Sequence, residues 1–355
     1  MHSSRQWNDS IFRFSAISVS REYNIPISEL IDFQAFLVTK KTLDIKHRKW
    51  SAGDHNIYAL NYSDINGILK GLDSPLKDDF WMSQPSVRIR GKLNAIEFPS
   101  VMTVLNMTPD SFYPGSRLTE DEVNERLDEI AKAGGNIVDI GGQSTRPGSE
   151  RVSVREEMKR ISKAVEISLN RGFTVSVDSY QPKIQEECLE MGTHIVNDVS
   201  GSQNMEIWKL VKRYDVPLVI MHKKGDFKTM QDSPSYENVV NEVSSFFLRK
   251  IKEAQKAGVE DNIILDPGIG FGKRVEDNLS IIKNIRDFKI GPPLLIGLSR
   301  KNFIGKLLDE SVDERYTSSL IFNSIAIMNG ADIIRVHDTE ENVKLIKIIK
   351  KLKDF

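Results

Sequence analysis

A single cysteine, Cys188, stands among 355 residues. One thiol excludes an intramolecular disulfide framework and any cysteine-rich zinc site. No apolar run reaches the roughly 18 residues a membrane span needs. The first residues, MHSSRQWNDSIFRF, contain no uncharged apolar block of the signal-peptide kind. An excess of charge of one sign is missing as well: 49 Lys and Arg face 50 Asp and Glu, a net charge of −1. That balance removes the basic footprint on which sequence-independent nucleic-acid binding rests. It also gives no attraction to an anionic membrane. The expected setting is a reducing cytosol, with no nucleic-acid or membrane partner and with self-association into a homodimer left open. Cys188, within QEECLE, reads as a small apolar residue on a helix.

What is present is enough apolar residue, 39% of the chain, to bury a sizeable core. The length suggests one large domain with an appendage, or two domains. Composition shifts near residue 85. Residues 1–85 hold eleven aromatics and three of the four tryptophans, with ten basic and ten acidic residues. Such a segment is no polar tail and has the apolar content to fold. SPLKDDFWMSQPS (74–86) reads as a connector, and SVRIRGKLNAIEF (86–98) as a hairpin around Gly91.

From residue 101 short β-branched runs alternate with amphipathic helical stretches. The strands expected are 101–107, 136–142, 174–178, 194–198, 217–222, 262–268, 293–299 and 331–337. Near-continuous apolar strands imply burial on both faces. Eight β-then-α units over about 250 residues predict a (β/α)8 TIM barrel. The alternative, an open doubly wound sheet, would normally carry a glycine-rich fingerprint after its first strand. Here that turn is NMTPDSF.

In a barrel of this kind the chemistry lies at the C-terminal strand ends. Polar or ionisable residues occur there on all eight strands. Singly, each reads more simply as a helix cap or a surface ion pair. Together they do not, because a core would not gather unpaired polar groups at one pole. Asp178, Asn197 and Asp266 suit a flat heterocycle with several N–H donors, since a carboxylate can accept two parallel hydrogen bonds. Met221 and Phe271 could wall the ring. Arg146, Lys301, Arg335 and His337 are expected to form a cationic side suited to phosphate or diphosphate. Asn106 offers a neutral oxygen to a Mg²⁺ that keeps most of its waters. DPGIGFGK (266–273) lacks the spacing of a P-loop and its following Ser or Thr. Its glycines are expected to let backbone pass close to a bound ring.

Eight motifs, in order, resemble the dihydropteroate synthase family: VLNMTPDSF, GGQSTRPGS, VSVDSY, IVNDVSG, VIMH, ILDPGIGFGK, GLSRKNFIG and IIRVHD. They cover residues from about 88 to 353. The resemblance implies a barrel that joins hydroxymethyl-dihydropterin pyrophosphate to p-aminobenzoate, releasing pyrophosphate, in folate synthesis, and that is a target of sulfonamides. By motif, Asp178, Asn197, Asp266 and Lys301 would hold the pterin, with Met221, Gly270 and Phe271 around it. Asn106, Arg335 and His337 would hold the pyrophosphate and its Mg²⁺. Phe112, Thr145, Arg146 and Pro147 would belong to two loops completing the p-aminobenzoate site. Lys301, Arg335, His337 and Asp178 would carry the chemistry.

The chain departs from the family's pattern in three places. Tyr113, Pro114, Gly115 and Ser116 stand where Ser-Asp-Gly-Gly is usual, Gln143 where Glu is frequent, and Asn302 where Ser is frequent. Two other readings remain. A methyltetrahydrofolate:corrinoid methyltransferase shares the Asp/Asn pocket but has no need of a cationic side. A non-catalytic pterin-binding paralogue would fit the altered first loop. Residues 1–85 match no named module and are expected to be a structural or oligomerisation element outside the catalytic site, with the barrel spanning 86–355.

Overall fold

The computed structural model describes residues 12–14, 35–39, 49–53, 55–60, 87–93, 95–108, 119–144, 152–202, 205–226, 229–259 and 262–353. The chain divides into two compact units: Met1–Pro85 with Arg286–Gly291, and Ser86–Ile285 with Pro292–Phe355. The connector expected at 74–86 lies outside the described residues.

The first unit contains an antiparallel sheet of β1 (Phe12–Phe14), β2 (Ala35–Thr39), β3 (Lys49–Ala52) and β4 (His55–Leu60), ordered β1-β2-β4-β3. Successive strand residues point to opposite faces. Ile57 and Tyr58 of the inner strand β4 are both buried, so both faces are covered there.

The second unit starts with a hairpin, β5 (Arg88–Ile89) and β6 (Lys92–Leu93). Its two-residue turn places both Arg90 (φ 50°) and Gly91 (φ 83°) at positive φ, as the twist of a tight hairpin demands. Glycine enters that region freely, whereas arginine must be held there. Arg90 is held by its backbone N–H on the Asp215 carbonyl (2.6 Å) and by Nη2 on the carbonyls of Leu189 (2.8 Å) and Thr193 (3.0 Å).

The barrel follows: β7 (Ser100–Asn106), α1 (Glu120–Ala133), β8 (Ile137–Gly141), α2 (Val154–Asn170), β9 (Thr174–Asp178), α3 (Pro182–Met191), β10 (Ile195–Asp198), α4 (Glu206–Tyr214), β11 (Leu218–Met221), α5 (Val239–Ala257), β12 (Ile263–Asp266), α6 (Val275–Lys283), β13 (Leu295–Ile296), α7 (Asn302–Leu308), α8 (Arg315–Met328), β14 (Ile333–Val336) and α9 (Thr339–Lys353). The strands pair in parallel in the order β12-β11-β10-β9-β8-β7-β14-β13. A bridge between Leu265 and Leu294 joins the two ends. The (β/α)8 barrel expected from the alternation is therefore the fold.

Helix α1 shows how the local code sets an element. Thr119 and Glu122 form a reciprocal capping box, Val123, Leu127 and Ile130 face inward, and Gly134 closes the helix at φ 89°. Strand β13 is much shorter than the apolar run 293–299 predicts. Pro292 and Pro293 have no N–H to offer a ladder, and the Asp332 carboxylate takes the Leu294 N–H at 2.7 Å.

Strand register sorts the barrel interior into levels. Met102, Ile137, Ile195, Val219, Ile264, Leu295 and Ile333 form an apolar lower level, closed from below by Val87, Ile89 and Ile96 of the hairpin segment. Side chains alternate along a strand, so residues two positions further on also point inward. They include Asp139, Asn197, Met221, Asp266 and Arg335, which form the floor of the opposite mouth. Among the described residues no helix is long and apolar enough to cross a membrane.

Candidate active site

The floor of the mouth is organised around Asp139, which is fully buried. Its Oδ2 accepts the Arg335 Nε–H at 2.6 Å and the Asn197 Nδ2–H at 2.9 Å. Arg335 Nη2 donates in turn to Asp178 Oδ2 at 2.6 Å. Burial works against the Arg335 charge, but Asp139 and Asp178 hold its pKa above the usual arginine value. Asp178 is pushed up by burial, and by Asp139, Glu157 and Asp198, against the pull of Arg335. Because a carboxylate only accepts, Asp139 fixes which way the Asn197 amide is turned: Nδ2 on Asp139, Oδ1 away from it. Asp178 Oδ1 is buried with no hydrogen-bond partner. An unpartnered buried carboxylate oxygen is expensive, and a ligand N–H would relieve it.

The second part of the floor is Asp266 and the glycine segment behind it. Asp266 Oδ1 accepts the Gly268 N–H at 2.7 Å, and burial raises its pKa against the pull of that N–H, Lys301, Lys273 and Arg335. The glycines do not serve the purpose expected of them. A Cβ on Gly268 would stand 2.0 Å from the His222 carbonyl oxygen, and one on Gly272 would stand 2.1 Å from that of Lys224. The close approach is to the protein's own backbone after β11. Gly270 lies beside the Lys301 stem, 3.6 Å from its Cδ by the same measure. Lys301 Nζ lies over the Phe271 ring, 4.5 Å from its centroid, within cation–π range. Met221 is buried beside Asp266 in the strand register.

At the rim, His337 Nδ1 lies 3.2 Å from Ser299 Oγ, and its carbonyl accepts the Arg126 Nη2–H at 2.7 Å. Burial, then the charge of Arg335, push the His337 pKa down to about 4. The imidazole is therefore neutral near pH 7, a donor and not a cation. Arg300, at φ 54°, is paired through both Nε and Nη2 with Asp338. A Cβ on Gly141 would stand 3.5 Å from Asn106 Oδ1 and 3.4 Å from Asp178 Cβ, so its absence keeps open the space between these two. Gln143 Nε2 donates to the Tyr180 hydroxyl at 2.8 Å, and Asn302 Oδ1 accepts from Arg315 at 3.0 Å.

Asp178, Asn197, Met221, Asp266, Gly270, Phe271, Lys301, Arg335, His337 and Asn106 thus stand at one pole of the barrel, on strands or just past their ends. Phe112, Thr145, Arg146 and Pro147 lie outside the described residues, as do Tyr113 and Pro114. Of the residues expected to form a cationic side, Arg146 lies outside the described residues, Arg335 sits between two carboxylates, and burial lowers the His337 pKa. Two residues escaped the sequence reading. Asp139 lies mid-strand, two residues before the strand end. Its signal was a charge inside NIVDIGG, which burial tolerates only with a partner. Lys273 had no signal beyond closing a glycine-rich run. Among the described residues no three His, Cys, Asp or Glu side chains cluster as a metal cage.

Comparison with known proteins adds the following. A family model described as pterin binding enzyme matches residues 102–337. A dihydropteroate synthase of Escherichia coli strain K12 is 38% identical over 261 residues, covering 72% of this chain and 92% of that one. Its counterpart from Bacillus subtilis strain 168 is 36% identical over 254 residues, 70% of this chain and 87% of the relative. Among solved structures, the Yersinia pestis dihydropteroate synthase with a sulfonamide drug complex superposes with a TM-score of 0.72 at 34% identity. It covers 76% of this chain and 100% of its own. The Xanthomonas albilineans dihydropteroate synthase with 4-aminobenzoic acid gives 0.70 at 33%, covering 77% and 100%.

Proposed function

Since the chain belongs to the pterin-binding enzyme family, among its dihydropteroate synthases, we propose that its barrel mouth joins hydroxymethyl-dihydropterin pyrophosphate to p-aminobenzoate. The observation that carries the reading is the set of buried acceptors on β9, β10 and β12: Asp178 Oδ1, the outward oxygen of Asn197 and Asp266. Such a set matches a ring edge rich in N–H donors. Met221 and Phe271 supply the apolar wall, and Lys301 reaches over Phe271 toward the same space.

In this reading the C–O bond to the diphosphate breaks first, leaving a delocalised cation on the pterin methylene. The carboxylates of Asp178 and Asp266 tolerate that charge. Arg335, whose guanidinium has N–H groups beyond the two it spends on Asp139 and Asp178, and the neutral N–H of His337 face the leaving group. The aromatic amine then forms the C–N bond and releases a proton to solvent. No covalent enzyme intermediate is required. A Mg²⁺ brought in on the diphosphate needs no protein cage, since Mg²⁺ keeps several waters and binds through few protein oxygens. Asn106 Oδ1 at the end of β7 fits that role. The ion would neutralise charge developing on the leaving oxygens. Phe112, Thr145, Arg146 and Pro147 would complete the p-aminobenzoate side.

A cytoplasmic location suits a chain with one buried, unpaired thiol. A homodimer would cover the stripe of Ile321, Ile325 and Met328 that α8 exposes. Light scattering should then report twice the chain mass, reduced by Ile321→Lys.

The test of the function is turnover. Purified protein with both substrates should release pyrophosphate and form dihydropteroate when Mg²⁺ is supplied, and stop when it is chelated. Binding of the pterin pyrophosphate with no product under saturating substrates and metal would identify a non-catalytic paralogue instead.

A further inference from the structure

Lys273 ends the glycine-rich run 266–273, in the place where a phosphate loop would aim its lysine at a ligand. Here the ammonium is buried, with 3% of the residue exposed. It is engaged by the protein itself. Nζ donates to the carbonyls of Gly268 (2.9 Å), Phe271 (3.1 Å) and His222 (3.3 Å), and lies 3.0 Å from His222 Nδ1. Burial, helped by the charge of Lys301, lowers the lysine pKa to about 7 against the pull of Asp266 and Asp277. Few local arrangements justify burying an ammonium among backbone oxygens, because straight-chain apolar residues fill such space without desolvation.

The same short segment is fastened from other sides. Asn278 Oδ1 accepts the Gly270 N–H at 2.8 Å, the Tyr236 hydroxyl donates to the Gly272 carbonyl at 2.8 Å, and Gln231 Nε2 donates to the Gly270 carbonyl. Besides Asp266, the segment brings two groups to Lys301: Gly270, against the Lys301 stem, and Phe271, whose ring lies beneath the Lys301 ammonium.

We propose that Lys273 is a positioning residue for the pterin half of the site: it ties the carbonyls of 268–271 to His222, and so sets where Phe271 and Lys301 stand. This rests on the reading of the mouth as a pterin site. Its function is geometric and electrostatic, exerted through Phe271 and Lys301, with no contact to either substrate.

The test uses the full-length enzyme with Lys273→Met, which keeps the stem and loses every donor, and Lys273→Gln, which keeps N–H donors without the charge. A displacement of about an ångström can cost a site on the order of 100-fold. Lys273→Met should therefore raise the KM for the pterin pyrophosphate by at least about tenfold, with the KM for p-aminobenzoate changed less than about threefold. Lys273→Gln should recover part of the loss. Three results would overturn the proposal: a pterin KM within twofold of wild type in Lys273→Met, both KM values rising together with a fall in Tm, or failure of both variants to fold. The last two would make the lysine a folding residue only. Lys301→Met separates the two hypotheses. If it leaves the pterin KM unmoved while Lys273→Met raises it, the assignment of Lys301 and the route through it fail, and the tie formed by Lys273 acts through Phe271 alone.

Discussion

Met102, Ile137, Ile195, Val219, Ile264, Leu295 and Ile333 face the barrel interior at its lower level, and all are apolar. Two residues further along the same strands stand Val104, Asp139, Asn197, Met221, Asp266, Gly297 and Arg335. The step between the levels is roughly 6.6 Å of strand, yet the physics changes completely. The lower level is closed by Val87, Ile89 and Ile96, needs no partner for any polar atom, and gains from every methylene it packs. The upper level contains charges whose partners lie on other strands: Arg335 on β14, Asp139 on β8, Asp178 on β9. It also keeps acceptor atoms without partners. The lower level is complete without a ligand, and the upper level is not. A barrel can therefore spend its lower interior on stability and its upper interior on recognition, with the same strands serving both.

That comparison can be broken at several points. The largest effect is expected from Asp139→Ala, which leaves Arg335 and Asn197 without their shared acceptor. Removing one partner from a buried charge pair costs about 3–5 kcal/mol. Urea denaturation should show that loss, together with weakened pterin binding. A variant of near wild-type stability would mean that Asp178 alone compensates Arg335.

Next comes a matched pair on β12. Ile264→Ala should cost about 2–5 kcal/mol of stability through its cavity, with substrate KM values unchanged. Asp266→Ala, one step up, should lose pterin affinity by about 1.5–3 kcal/mol, roughly ten- to a hundredfold. Calorimetry on the folded variants decides. An Ile264→Ala protein with impaired ligand binding would show that the two levels are coupled.

A smaller effect should appear with pH. Burial, with the charges of Lys273 and Lys224, pushes the His222 pKa down to about 2, against about 6.5 in the unfolded chain. Unfolding takes up a proton between these limits. Stability from this group is present above about pH 6.5 and falls as pH drops, by at most about 1.4 kcal/mol per unit. His222→Gln removes that share, so the stability gap between wild type and variant should narrow between about pH 7 and about pH 5. A constant gap would show that the His222 pKa is the same in the folded and unfolded protein. The smallest effect belongs to the outer layer: Thr119→Ala removes the α1 cap at a cost of about 1 kcal/mol, and kinetic constants should not move.

The eight strands and their order of polar ends were legible because period-two and period-3.6 patterns are local. The hairpin at Arg90 and Gly91 was legible from its turn. The four-stranded sheet in residues 12–60 was not anticipated as a sheet, although the aromatic content had implied a folded segment. Within the mouth, Asp178, Asn197 and Asp266 announced themselves by ending strands. Asp139 did not, because a search confined to strand ends passes over a charge in mid-strand. The lowered pKa of His337 follows from burial and from Arg335, neither of which has a local trace.

By itself the sequence determined the alternation of strands and helices, the pole at which the chemistry gathers and, through eight ordered motifs, the family. All of these depend on spacing along one stretch of chain. Only the tertiary structure decided that Arg335 lies between Asp139 and Asp178, that Asn197 turns its nitrogen inward, and that Lys273 is consumed by the carbonyls of Gly268, Phe271 and His222. Hydrogen-bond partners and charge states are set by groups that barrel closure brings together from strands as much as 196 positions apart, and no local pattern records who those partners are.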